Sequence, residues 1–107
     1  MIDPARELLR MMKNDFIVYG YTPASHVIKS LENVGGGKIS FEDFRRTMSS
    51  GISCSLRKGY LNGEHADHMR TTLGRLKKGL DASYYDPIDA SGRYVTIPSL
   101  AQFKEVQ

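Results

Sequence analysis

Cysteine is almost missing from this chain, and its scarcity excludes an internal disulfide: Cys54 stands alone, and one thiol has no partner within its own chain. A reducing compartment is expected, the cytoplasm, or the nucleus in a eukaryote. Long hydrophobic runs are missing too. No apolar stretch approaches the roughly twenty residues a helix needs to cross a bilayer. The opening MIDPARELLRMMKND has neither the basic start nor the uninterrupted apolar core of a secretory signal. Membrane association is therefore not expected. Internal repeats and low-complexity linkers are absent, as is any pairing of carboxylates suited to acid–base work. Cys54 lies among serines without a nucleophile motif, and His65 and His68, one turn apart, lack a third and fourth metal ligand. Neither catalysis nor a metal nor a cofactor is expected.

What the chain does have is the balance of an ordinary domain. At 107 residues, 40% hydrophobic and 25% charged, it is long enough for one core and too short for two. Its net charge of +3 is a mild argument for an anionic partner, and the distribution is a better one. Residues 1–50 carry seven basic and six acidic side chains, whereas Arg57 to Lys78 carries six basic residues against Glu64 and Asp67.

Taken in order, Asp3-Pro4 is a helix start, and Ala5, Leu8, Leu9, Met12 and Phe16 follow helical spacing to a stop at Gly20. This first helix, about 4–19, has extra apolar surface in Ile17, Val18 and Tyr19, which suggests packing across the domain or against a second copy. Thr22-Pro23 opens a second helix over about 23–34, with Val27, Ile28, Leu31 and Val34 as its stripe and Gly35-Gly36-Gly37 as its end. That triple glycine precedes no Gly-Lys-Ser/Thr in the frame of a phosphate loop, so it reads as a turn. Lys38-Ile39-Ser40 is a short extended segment available to a later hairpin. Ser40 with Glu42 and Asp43 makes a capping-box pattern that opens a third helix carrying Phe41, Phe44 and Met48. Fraying is expected at Ser49-Ser50-Gly51, followed by a helical turn over 52–63.

A fourth helix starts near Asn62 or Gly63. Ala66, Met69, Leu73, Leu76 and Leu80 form its inner stripe, and Gly79 breaks it. Tyr84 to Ile88 and Arg93 to Ile97 then read as two strands around the turn Asp89-Ala90-Ser91-Gly92. A short tail helix over 99–107 would turn Leu100, Phe103 and Val106 inward. The expected fold is thus mainly α with a small β-hairpin, a single domain over 1–107 with four to five helices, its core spanning 22–98. With the stripe of the fourth helix turned inward, His68, Thr71, Arg75 and Lys78 point outward, with Asp67 and Thr72 beside them. Lys77 is expected nearer the buried side, snorkelling.

The order of helix, Lys38–Ser40, helix, Glu64 to Leu80 and hairpin 84–97, with the phrase LGRLKKGLDASYYDP, resembles winged-helix DNA-binding domains. The resemblance covers roughly 75 residues and implies a recognition helix at 64–80 and a wing at 84–97. It implies double-stranded DNA as partner and a role in transcription regulation, while the apolar excess of the first helix suggests dimerisation through residues 1–20. His68, Thr71, Thr72, Arg75 and Lys78 would face the major groove, and Arg93 would reach the minor groove or a phosphate. The connection from helix three to the recognition helix is longer than the family's tight turn, and a second frame takes Ser53 to Tyr60, ending in LRKGYL, as the recognition helix. A competing class is a protein-interaction or inhibitor module on the same or another helical scaffold. Gly37 to Phe44 also resembles the second half of an EF-hand, but Val34 and Gly36 stand where early oxygen ligands are required, so calcium is not expected.

Overall fold

Three of the four helices among the described residues begin where a side chain satisfies a first-turn amide, and the other follows Pro23 without a side-chain cap. A computed structural model describes residues 3–86 and 93–100. Helix α1 spans Pro4–Tyr19, with the Asp3 carboxylate accepting from the Ala5 amide at 3.0 Å. It ends at Gly20, whose φ of 88° is left-handed; a Cβ there would also lie 2.7 Å from that of Tyr60, so two constraints select glycine at this corner. Helix α2 spans Ala24–Gly35 and α3 spans Phe41–Arg57, the latter capped by Ser40 accepting from the Asp43 amide at 3.0 Å. Helix α4 spans Gly63–Lys77, capped by Asn62 accepting from the His65 amide at 2.8 Å. Strands β1, Ala82–Asp86, and β2, Arg93–Ile97, pair antiparallel in a two-stranded sheet.

The chain is mainly α with a small β-hairpin, as its patterning predicts. Among the described residues there are four helices. The turn Asp89–Gly92 and tail residues 101–107 lie outside the described residues; Leu100, at the edge of the tail, packs on the core.

Helix α3 holds the assembly together, packing against α1, α2 and α4, while α4 carries β1 on its other side. Phe16, Phe44, Met48, Ile52, Met69, Leu76, Tyr84 and Ile97 are all fully buried where these elements meet. Each such side chain contributes about 1.5–3 kcal/mol by leaving water.

Three expectations are corrected. Helix α3 does not fray at Ser49-Ser50-Gly51 but runs on to Arg57, because Gly51 faces the Phe16 ring and its missing side chain makes room for that ring. The turn expected over 52–63 is therefore helix up to Arg57, and only residues 58–62 connect α3 to α4. Lys38–Ser40 joins no strand; Ile39 is buried as an apolar plug instead. Helix α4 closes at Lys77, where Gly79 turns left-handed at φ 79° and Leu80 returns its amide to the Arg75 carbonyl at 3.0 Å. Leu80 thus falls outside the stripe, 44% exposed.

Candidate nucleic-acid interface

Helix α4 has two unlike sides because its apolar residues recur every third or fourth position. Ala66, Met69, Leu73 and Leu76 are buried, which fixes the rotation of the helix and turns the remaining positions outward. From His68 to Leu80 the sequence holds four cations and no carboxylate. Those four, Arg70, Arg75, Lys77 and Lys78, are all exposed. Three of them lie in or just past the last helical turn, where positive charge also favours the unpaired carbonyls of the helix end.

The six expected contact residues separate in the structure. Thr71, Arg75 and Lys78 are exposed on the outer side, and the Arg75 Nε donates to the Asp81 carbonyl at 2.8 Å, which steadies the start of the guanidinium fork. His68 is half-buried, with Nε2 3.2 Å from the Ser83 hydroxyl. Thr72 does not belong with them. It is 4% exposed, and its hydroxyl reaches the Ser83 carbonyl at 2.6 Å and that of His68 at 3.0 Å, so it joins α4 to β1. Arg93 pairs with Asp86 in the β-ladder; its side chain lies outside the described residues.

Three cations absent from the expected set, Arg45, Arg70 and Lys77, are placed beside the outer face. Lys77 is exposed, and with Arg45, Ser49, Arg70, Leu73 and Gly74 it lines a groove of about 190 Å³ between α3 and α4. Arg45 in this groove is held by Glu42, with Nε donating to Oε2 at 3.0 Å and a second bond alongside. That hydrogen bonding holds the Glu42 carboxyl below its usual range. Arg70 is only loosely tied to Asp67, at 3.9 Å. Sequence order gives little sign of the groove, since Arg45 and Lys77 are far apart in the chain and meet only because α3 and α4 pack together.

A second surface lies on the hairpin side of α4. Tyr85 and Tyr94 are direct partners in the ladder, so both rings rise from the same face, 5.5 Å apart. His65 stacks on Tyr85 at 4.1 Å and 23°, and His68 meets Tyr94 edge-on at 4.8 Å. Strand alternation sends the neighbouring Tyr84 inward, where it is fully buried and its hydroxyl donates to the Thr22 carbonyl. Beyond His65 the surface dips into a cleft of about 200 Å³ lined by Tyr19, Tyr21, Tyr60, Leu61, His65, Met69 and Tyr85.

Under these surfaces lies a buried polar knot that the patterning does not announce. The Asp15 carboxylate accepts from the Thr22 hydroxyl at 2.9 Å and from His26 Nδ1 at 2.6 Å. An acid inside an apolar stripe, between Met12 and Phe16, is the available sign of it. Among the described residues no group of His, Cys, Asp and Glu is arranged to hold a metal, and no helix is long and apolar enough to cross a membrane. No protein-family model, curated protein or solved structure matches the chain.

Proposed function

We propose that this protein binds duplex DNA through the outer face of α4, with the α3–α4 groove on one flank and the hairpin on the other. The observation that carries the reading is the run from His68 to Leu80, whose four cations meet no carboxylate in sequence and are all exposed. Helical geometry presents them to a surface wide enough to enter a major groove. The order α3, a connection over 58–62 containing Gly59, α4 and hairpin supports a winged-helix-like arrangement with α4 as its reader, in the manner of a small transcriptional regulator. Against that stands a sheet of two strands without Lys38–Ser40.

Thr71, Arg75 and Lys78 keep their proposed roles, and Arg70, Lys77 and Arg45 join them. Thr72 leaves the set because its hydroxyl is engaged inside. Titrating a labelled duplex at rising salt tests the reading. With about four phosphates neutralised, the logarithm of affinity should fall with that of salt at a slope near −3.6. Arg75→Ala and Lys78→Ala should each weaken binding and flatten the slope by about 1. Glu42→Gln, which releases Arg45 from its carboxylate, should tighten it. Absence of duplex binding at low salt, or indifference to these changes, refutes the proposal.

The exposed end of α1 supports a second reading, self-association or docking on another protein. Ile17, Val18 and Tyr19 are 43%, 56% and 61% exposed, an apolar patch with a reason to be covered. Mass measured at micromolar concentration decides whether a second copy covers it.

A further inference from the structure

The aromatic surface is more open than packing requires. Tyr94 and Tyr60 are 59% and 58% exposed, whereas a tyrosine used only to fill the core is covered, as Tyr84 is. From Tyr94 the rings continue through His68, Tyr85 and His65 to the cleft between Tyr19 and Tyr60. No carboxylate lines that cleft, so a cationic ligand would be held there by ring faces alone. Cations stand at both ends instead. Arg57 and Lys58 precede Tyr60 and are exposed, and Arg75 lies two helical turns beyond His68 on the same edge of α4. Neither Arg57 nor Lys58 forms an ion pair among the described residues.

We propose that this strip binds the unpaired bases of a single-stranded nucleic acid, stacking them on Tyr94 and in the tyrosine cleft while Arg57, Lys58 and Arg75 neutralise the adjoining phosphates. The proposal rests on the nucleic-acid reading above and adds to it a single-stranded ligand on the adjoining hairpin side of α4, with Arg75 at the shared edge. Exposed rings between cations suit such a ligand because every base has a stacking face and every linkage a negative charge. A neutral or basic peptide would leave the cations without a reason, and a second copy of this chain would set like charges together at both ends.

The test uses the full chain and three labelled probes: a short oligothymidylate, an abasic strand of the same length and charge, and a duplex. The oligothymidylate should bind about 25- to 100-fold more tightly than the abasic strand, the scale of two base–ring stacks. Tyr94→Ala and Tyr60→Ala should each lower oligothymidylate affinity by about five- to tenfold. Tyr94→Phe should retain it, and Tyr60→Ala, which lies outside the proposed duplex surface, should bind the duplex within about twofold of the parent. Both rings are largely exposed, so these variants are expected to fold, which circular dichroism checks. Equal binding of the abasic strand, indifference to both tyrosine changes, or a dimer that covers Tyr19 and Tyr60 overturns the proposal. The two readings fail separately: a protein that binds oligothymidylate in a Tyr94-dependent way but ignores duplex sinks only the first, and one that binds duplex through Arg75 and Lys78 but shows no base dependence sinks only the second.

Discussion

Gly51 and Gly74 each sit in the interior of a long helix, yet a side chain would mean opposite things at the two sites. At Gly51 an added Cβ would lie 2.2 Å from Phe16 Cδ2, with further ring atoms at 2.6 and 2.8 Å. Gly74 would place it in open space, with nothing within 4 Å. One glycine belongs to the seam where α1 and α3 lock together, the other to the outer face of α4 where long cations reach outward. The seam fixes shape, and the outer face is free to meet a ligand.

Gly51→Ala has the largest expected effect. The Phe16 ring is 1% exposed, so an overpacking cost of about 3–4 kcal/mol, at and above the usual upper end because the contact is so short, offset by about 1 kcal/mol of improved helix propensity, should leave a net loss of about 2–3 kcal/mol. That lowers the melting temperature by roughly 10–20 °C. Combining it with Phe16→Leu should cost less than the sum of the two single changes. A strictly additive pair would mean that the glycine is not there for the ring.

The next effect comes from the polar part of the same region. Asp15 is 8% exposed and accepts from both Thr22 and His26. Asp15→Ala leaves those two donors without their acceptor, at a cost of about 2 kcal/mol in denaturant unfolding. Asp15→Asn keeps an acceptor and should cost about half as much. Equal losses for the two variants would show that the side chain serves by volume rather than by its oxygens.

A smaller pair of effects contrasts adjacent threonines on α4. Thr72→Val preserves shape but removes the hydroxyl that joins the helix to the Ser83 carbonyl, so a loss of about 1 kcal/mol is expected. Thr71→Val, on the exposed side, should change stability by less than about 0.5 kcal/mol. If the two were alike, the bond between helix and hairpin would contribute nothing net.

These contrasts indicate what was legible from residue order. Asp3, Ser40 and Asn62 announce three helix starts because capping is a local matter, and the stripe of Ala66, Met69, Leu73 and Leu76 sets which side of α4 faces in. Gly51 misleads because a glycine that ends a helix and one that admits a distant ring look the same until Phe16 is placed beside it. Thr72 misleads because it lies at the margin of the stripe, where helical spacing alone does not decide between water and the β1 carbonyl. The ring strip was half legible: Tyr85 and Tyr94 could be placed in a hairpin, but their meeting with His65 and His68 depends on how α4 lies across it. Arg45 beside Lys77 was out of reach for the same reason.

Gly74 yields a small gain in stability and the change that bears most directly on function. Gly74→Ala should stabilise the protein by about 0.5–1 kcal/mol, since the helix gains propensity and nothing obstructs the methyl group. Gly74→Glu should leave the protein about as stable as the parent, because the gain in helix propensity and the nearby Arg70 and Lys78 offset a negative charge in the last helical turn. Binding should tell the two variants apart. A methyl group leaves the cations of α4 as they are, and duplex affinity should stay within about twofold. A carboxylate at the same position enters the one stretch of the helix that has none, beside Arg70, Lys77 and Lys78, and should cost roughly tenfold in duplex affinity at low salt with the loss shrinking as salt rises. Both variants being about as stable as the parent or more so, a loss confined to Gly74→Glu cannot be attributed to unfolding. Equal affinity for the two would move the duplex contact off the outer face of α4 altogether.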